Sequence, residues 1–215
     1  MSLKVYYDLM SQPSRALYIL LKTAKCKFEP KLVDLLEHHS EEYTKINRLQ
    51  KVPVIDHNGF VLSESIAIIR YLSGAGLVPP SLYPRDLKEQ ARVDEFLEWH
   101  HIGLRLHCSI FCLRLRVKPD PKTSDSYERR MRNSLQELDT LWLGRGTDFI
   151  LGNTPTVADI WAACELEQPR FDAKDSYPNI AAWWPKVIAA VEPNYTEAHI
   201  IVNKVGKKVR LNSKI

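Results

Sequence analysis

The stretch Ser11-Gln12-Pro13-Ser14-Arg15 has the residue types and the placement best suited to chemistry. It follows an apolar run at residues 3–7 and precedes an apolar-periodic run at residues 16–24, which predicts a strand, a tight turn and a helix. A hydroxyl at such a turn lies among free backbone N–H groups and at the positive end of a helix dipole. Ser11 is therefore a candidate for stabilising a bound thiolate or acid. Its simpler alternative is a plain helix cap, and Ser14 is the weaker candidate.

Two other segments place polar groups where predicted elements begin. Glu64 and Ser65 open a predicted helix at residues 64–72, where backbone N–H groups and a hydroxyl suit a carboxylate; Ser63 and Ser65 are candidate caps. Val52 precedes Pro53 at the start of a predicted strand, which favours an extended backbone. From the residues alone, an ordinary proline at a strand start is preferred for Val52-Pro53, and a plain helix-start preference is the alternative for Glu64 and Ser65.

The elements that would position these residues divide the chain into two halves. Short β-branched or aromatic runs predict strands at residues 3–7, 28–34, 52–56 and 60–62, and Asp56-His57-Asn58-Gly59 predicts a hairpin turn. Helices are predicted at residues 13–24 and 64–72, and, after a linker at residues 74–80, at residues 86–117, 127–143, 156–166, 179–191 and 195–202. We therefore expect an α/β domain at residues 1–77, an all-helical domain at residues 85–202 and a basic tail at residues 203–215.

The composition indicates a globular protein and argues against nucleic-acid-binding and membrane-spanning classes. The 215 residues are 45% hydrophobic and 26% charged, which is typical of a globular chain, and the net charge of +4 includes no dense basic patch of the kind that binds nucleic acid. No run of 18 apolar residues and no signal peptide is evident, so we expect a cytoplasmic protein without a membrane span. The final Ser213-Lys214-Ile215 is similar to a peroxisomal terminus, but isoleucine replaces leucine, and cytoplasm is preferred.

Cysteine and histidine usage points away from redox and metal chemistry. The four cysteines form no C-x-x-C pair, which suits free thiols in a reducing compartment. The histidines at positions 100, 101 and 107 lack a metal-ligand spacing, so they are interpreted as helix-face residues and no metal is expected.

The order strand, helix, strand, hairpin, helix, followed by an all-helical domain, resembles the cytosolic glutathione transferases, whose first domain is thioredoxin-like. Residues 11–15 resemble the active-site turn of their theta class, Lys51-Val52-Pro53-Val54 their cis-proline segment, and residues 62–68 their Glu/Gln-Ser turn. Thr156-Val157-Ala158-Asp159 is similar to the capping box of their helical domain. The resemblance spans residues 1 to about 202, and four matches in the same order make it specific.

The resemblance implies glutathione as co-substrate and a role for each matched residue. The Ser11 hydroxyl would donate a hydrogen bond to the glutathione sulfur and favour the thiolate. Ser65 would bind the γ-glutamyl carboxylate and Glu64 the α-ammonium. Val52, with a cis peptide bond to Pro53, would pair with the cysteinyl backbone.

At the glycine end of glutathione the resemblance implies a histidine or a lysine. His38 is preferred over His39, and Lys51 is a second positive group; a solvated loop is the alternative for the histidines. Arg105 would face the site, or else be an exposed helix arginine. Ile102 departs from relatives that carry an acidic residue here, which puts a contact across a dimer in doubt.

The expected reaction is transfer of the glutathione thiolate to small hydrophobic electrophiles. The acceptor pocket is expected between the domains, walled by residues 99–105 and 106–110, and the helices at residues 86–117 and 127–143 are expected to form a homodimer seam. A glutathione-dependent peroxidase or isomerase is one alternative, and a non-catalytic binding module is another.

Overall fold

A mixed four-stranded sheet forms the first half of the fold. The computed structural model describes residues 2–34, 37–109, 121–167 and 176–212. The sheet consists of β1 (Leu3–Tyr7), β2 (Glu29–Leu32), β3 (Val54–His57) and β4 (Phe60–Ser63) in the order β2-β1-β3-β4. β1 pairs parallel with β2 and antiparallel with β3, and β3 pairs antiparallel with β4. All four predicted strands are confirmed, with β2 shorter than its apolar run.

The predicted hairpin turn joins β3 to β4 through two residues. Asn58 and Gly59 both have positive φ, 54° and 89°, the conformation that asparagine followed by glycine adopts most readily. The Asp56 carboxylate accepts the Gly59 N–H at 2.8 Å and closes the turn. Asp56 also accepts from Lys4 Nζ of β1 at 3.1 Å.

Three helices accompany the sheet: α1 (Gln12–Thr23), α2 (Glu41–Ile46) and α3 (Ser65–Gly74). The short α2 was not predicted, because only Tyr43 of its six residues is buried and no apolar period marks it. The Ser40 hydroxyl caps α2 by accepting the Tyr43 N–H at 3.1 Å. The predicted caps of α3 were wrong: Glu64 occupies the N-cap position, with φ 69° and no side-chain cap bond.

The second half is helical in the described residues, as predicted. It contains α4 (Leu87–His100), α5 (Pro121–Glu137), α6 (Val157–Leu166), α7 (Pro178–Val191) and α8 (Asn194–Asn212). A π-helical turn, His101–Arg105, continues α4 toward residue 109, and a second one, Leu138–Trp142, follows α5. The predicted helix at residues 86–117 is thus not a regular α-helix, and its part beyond residue 109 lies outside the described residues. The last helix runs well past its predicted end at residue 202.

α6 is the central helix of the second half, and all ten of its residues are buried. The predicted capping box is confirmed at its start: Thr156 Oγ1 accepts the Ala158 N–H at 3.3 Å, and Asp159 Oδ2 accepts the Thr156 N–H at 2.8 Å. α1 packs against α6 and α8, so the helix after the candidate turn lies between the sheet and the helical half. Over the described part of the chain, no helix combines the length and apolarity needed to cross a membrane.

Candidate functional site

The turn before α1 leaves the Ser11 hydroxyl uncommitted. Ser11 N–H donates to the Asp8 carbonyl at 3.0 Å, and Met10 N–H donates to Asp8 Oδ1 at 2.8 Å, which shapes the turn. Ser11 is the N-cap of α1, with an extended backbone at φ −78° and ψ 123°, but its side chain makes no cap hydrogen bond. Ser11 is half-buried, whereas Ser14 is fully buried within α1. The hydroxyl of Ser11 is therefore the one that a ligand can reach.

Hydrogen bonds to α6 brace the turn, that is, they hold its residues in place. Arg15 is fully buried, and its Nη1 donates to the carbonyls of Leu9 and Met10 at 3.0 Å each, while Nη2 donates to the Cys164 carbonyl at 3.1 Å. Gln12 Nε2 donates to the Trp161 carbonyl at 2.9 Å. A guanidinium at the carboxyl end of α6 also satisfies a carbonyl that the helix leaves without an intrahelical partner. The residues next to Ser11 thus depend on contacts with the helical half.

A cleft of about 130 Å³ opens beside this turn, between the two halves of the chain. Six of the predicted site residues line it: Lys51, Val52, Pro53, Glu64, Ser65 and Arg105. Three residues that were not assigned to the site complete the lining: Pro13, Ser63 and His101.

The entry to β3 forms one wall of the cleft. The peptide bond between Val52 and Pro53 is cis, as predicted. The Lys51 carbonyl accepts from the Tyr43 hydroxyl at 2.7 Å and from Asn47 Nδ2 at 2.8 Å, both in or next to α2. These bonds hold the Lys51 backbone, while its exposed side chain remains available to an anion.

The start of α3 forms the facing wall. Glu64 is exposed and has φ 69°, a left-handed conformation that costs on the order of 1–3 kcal/mol for a residue other than glycine. Ser65 follows as the first helical residue, where backbone N–H groups have no intrahelical acceptor. A carboxylate group fits this helix start, and the Glu64 side chain beside it suits a cation.

The two histidines predicted to bind the glycine end do not line the cleft. They lie in a 3₁₀ turn, Glu37–His39, with ring centroids 6.0 Å apart. His39 Nδ1 is 2.9 Å from Gln50 Oε1, and the His38 ring lies 6.4 Å from the ring of Tyr43, whose hydroxyl binds Lys51. Both rings are thus on the Lys51 side of the cleft, and their contact with a ligand stays a prediction.

The π-helical turn supplies the third wall. Arg105 is half-buried and His101 is exposed, and both line the cleft. His101 was missed by sequence reasoning, although its position four residues before Arg105 could have signalled a shared helix face. The neighbouring His100 is fully buried instead, and burial together with the charges of Arg105 and His101 lowers its pKa to about 3. In the described ranges of the chain, no group of three or more potential ligands could hold a metal ion.

The cleft places two cations, Lys51 and Arg105, around one carboxylate, Glu64, and a helix start at Ser65. This pattern suits a small, elongated molecule that carries two carboxylates and one ammonium group. Ser11 is not among the residues that line the cleft; it lies two residues before Pro13, which lines it, and its contact with a ligand stays a prediction.

Comparison with known proteins matches both halves of the chain. Residues 1–74 match the family described as "Glutathione S-transferase, N-terminal domain", and residues 101–190 match "Glutathione S-transferase, C-terminal domain". Glutathione S-transferase theta-1 of Mus musculus is 36% identical over 218 residues, which cover 95% of this chain and 90% of that protein. The theta-1 protein of Homo sapiens is 36% identical over 217 residues, with the same coverage of both chains.

Solved structures agree with the sequence matches. The apo form of human glutathione-S-transferase T1-1 superimposes with a TM-score of 0.89 at 35% identity, covering 96% of this chain and 91% of that one. Human glutathione transferase theta-2, solved in complex with glutathione and an unknown ligand, has a TM-score of 0.89 at 33% identity and covers 99% of this chain and 92% of that one.

Proposed function

The chain belongs to the glutathione S-transferase family, transferases that use glutathione as co-substrate, and we propose that Ser11 stabilises the glutathione thiolate for attack on small hydrophobic electrophiles. The observation that carries the proposal is a half-buried serine at the N-cap of α1 whose hydroxyl makes no cap hydrogen bond, two residues before Pro13 of the charge-matched cleft. A free thiol has a pKa of roughly 8.5, so only a few per cent is ionised at neutral pH. A donated O–H and a helix N-terminus both stabilise the ionised form.

Glutathione has the charges that the cleft requires. Its γ-glutamyl carboxylate would accept from the N–H and hydroxyl of Ser65, and its α-ammonium would face Glu64. Its cysteinyl backbone would lie along Val52, and its glycine carboxylate would face Lys51, with His38 or His39 as the second partner. In this orientation the sulfur lies toward Ser11, because the cysteine is the middle residue of the tripeptide.

Calorimetric titration with glutathione tests the binding half of the proposal. We expect one site per chain, and conjugation assays with alkyl halides, epoxides and an organic hydroperoxide then identify the acceptor class. An apolar acceptor is expected, since such pockets lie where domains meet and are lined mainly by apolar side chains. Turnover of the hydroperoxide alone would favour the peroxidase alternative, and binding without any turnover would favour a binding module.

Substituting Ser65→Ala is expected to raise the KM for glutathione about tenfold, because a charged carboxylate loses one hydrogen bond worth roughly 1.5 kcal/mol. The value of kcat should change little, since the bond is made equally in the ground and transition states. Initial-rate kinetics at varied glutathione concentration measure both constants. Ser73→Ala, which changes a buried serine near the other end of the same helix, is the control and should leave the KM unchanged. An unchanged KM in Ser65→Ala would show that Ser65 does not bind glutathione.

A homodimer is also proposed, with α4, its π-helical continuation and α5 at the seam. Large apolar side chains on α4 and its continuation are exposed: Leu87 at 78%, Ile102 at 68% and Leu106 at 45%. Sedimentation velocity should show a species of twice the chain mass, and Ile102→Lys should shift it toward the monomer because a desolvated, unpaired lysine is costly. Identical sedimentation of the variant would place the seam elsewhere.

A further inference from the structure

Glu165 of α6 is a buried carboxyl group with an incomplete set of partners. Its side chain is fully buried, and Oε1 accepts from Ser109 Oγ at 3.2 Å. Oε2 is buried and has no hydrogen-bond partner in the structure described here. An ionised carboxylate in such a place requires nearby positive charge, so the groups around it determine its state.

Two guanidinium groups, those of Arg15 and Arg105, act on this carboxyl group and lower its pKa. Arg15 of α1 reaches α6 at the Cys164 carbonyl, the residue next to Glu165, and Arg105 projects from the π-helical turn that packs on α6. Both arginines keep a buried Nε–H without a partner in the described structure, so no hydrogen bond joins Glu165 Oε2 to either Nε. Ser109, whose hydroxyl binds Glu165, follows Arg105 by four residues, so Glu165 lies near the turn that carries the cleft-lining arginine and next to the residue that Arg15 binds.

We propose that Glu165 is a positioning residue that holds the Arg105 guanidinium toward the glutathione cleft and shares its charge with Arg15. The inference rests on the proposed function, since it concerns how the cleft binds glutathione. A carboxylate near Arg105 restrains this long side chain in the orientation in which it lines the cleft. Without that counter-charge the two arginines repel each other and Arg105 gains other orientations.

The attraction between Glu165 and Arg105 depends on whether the Glu165 carboxyl group is protonated. Burial raises the pKa of Glu165 to about 7, against the lowering effects of Arg105, Arg15 and the Ser109 hydroxyl. The carboxyl group therefore ionises as the pH rises through neutrality, and the attraction for Arg105 is present above that pKa and lost below it. Glutathione affinity should accordingly increase between pH 6 and pH 8.

The other titratable groups near these arginines behave differently. Burial lowers the pKa values of His100 and His199 to about 3, so both remain neutral across this range. Burial raises the pKa of the Cys164 thiol to about 12, so it remains protonated. Burial raises the pKa of Tyr195 well above its usual value, so it remains protonated. Glu167, which also acts on Arg15, and His101, which lines the cleft with Arg105, are each replaced in a variant below.

Binding of S-methylglutathione by calorimetry between pH 6 and pH 8 tests the inference, because this ligand has no ionisable thiol. The wild-type dissociation constant is expected to fall about fivefold over this range, a coupling typical of linked sites. Glu165→Gln should bind about fivefold more weakly at pH 8 and show no such fall. The variants Glu167→Gln and His101→Gln leave Glu165 intact, so each should retain the fall in dissociation constant between pH 6 and pH 8.

A second variant keeps the test decisive even if Glu165→Gln folds poorly. Ser109→Ala removes the hydroxyl that lowers the Glu165 pKa while leaving the carboxylate in place, so the midpoint of the affinity curve should move to higher pH. Coincident pH curves for wild type, Glu165→Gln and Ser109→Ala would overturn the role of Glu165 while leaving glutathione binding intact. Failure of the wild type to bind S-methylglutathione at any pH would instead contradict the proposed function, and this inference with it.

Discussion

Replacing Ser11 with alanine is expected to lower kcat/KM for glutathione conjugation about 100-fold, the loss seen when one hydrogen-bond donor to a developing or bound anion is removed. The Ser11 hydroxyl makes no cap bond, so alanine removes a donor to the ligand and leaves α1 intact. The pKa of the bound thiol should rise by about one to two units, because hydrogen bonding and the helix terminus favour the thiolate together. Steady-state kinetics and ultraviolet titration of the bound thiolate measure the two effects.

Two matched variants serve as controls for Ser11→Ala. Ser14→Ala changes the same residue type one helical turn later, where the side chain is fully buried and Oγ has no partner, so its activity should equal that of the wild type. Ser11→Thr retains a hydroxyl and should recover most of the activity. If Ser11→Ala turns over glutathione at the wild-type rate and thiol pKa, Ser11 has no part in the mechanism.

Replacing Asp159 with alanine is expected to lower the free energy of unfolding by about 3–5 kcal/mol, the usual cost of breaking a buried, fully bonded charge network. Asp159 is fully buried and accepts from the Ile150 N–H at 3.0 Å, the Thr156 N–H at 2.8 Å and Trp183 Nε1 at 2.8 Å. Alanine leaves these donors buried without an acceptor. Since α6 braces the Ser11 turn through Cys164 and Trp161, activity should be lost in parallel with unfolding.

Urea denaturation followed by tryptophan fluorescence measures the change, with Asp148→Ala as the control. Asp148 pairs with Lys186 at 2.6 Å on the surface, where both side chains are about half exposed, and such a pair contributes at most about 1 kcal/mol. A loss in Asp159→Ala no larger than in Asp148→Ala would show that the capping box is not a stabilising centre.

The elements that sequence patterns predicted well are those with a local cause. The hairpin at Asn58-Gly59 follows from the positive φ that these two residues tolerate, and the start of α6 follows from the bonds that Thr156 and Asp159 exchange across three residues. The turn at Ser11 is equally local, since a strand, a proline and an apolar period surround it. Such features depend on neighbours in the chain and need no knowledge of distant contacts.

The features that were missed have a weak local signal or none. α2 is short and polar outside Tyr43, and its position follows from the bonds of Tyr43 and Asn47 to the Lys51 carbonyl. Glu64, and neither of the two serines beside it, occupies the N-cap position of α3. Its positive φ is disfavoured for glutamate, so the local sequence does not predict this arrangement. Which side of a helix faces a cleft was equally undecided for His101 and Arg105, because the π-helical turn changes the angular spacing of side chains.

By itself the sequence determined the order of the strands and of the longer helices, the Ser11 turn, the capping box of α6 and, through its resemblance, the family and the co-substrate. Only the tertiary structure decided that Arg105 and His101 line the cleft, that His38 and His39 lie outside its lining, and that Ser109 binds the buried carboxyl group of Glu165. The reason is sequence separation. Arg15 and the Cys164 carbonyl that it binds are 149 residues apart, and a contact of that range depends on how the two halves pack rather than on any pattern within either.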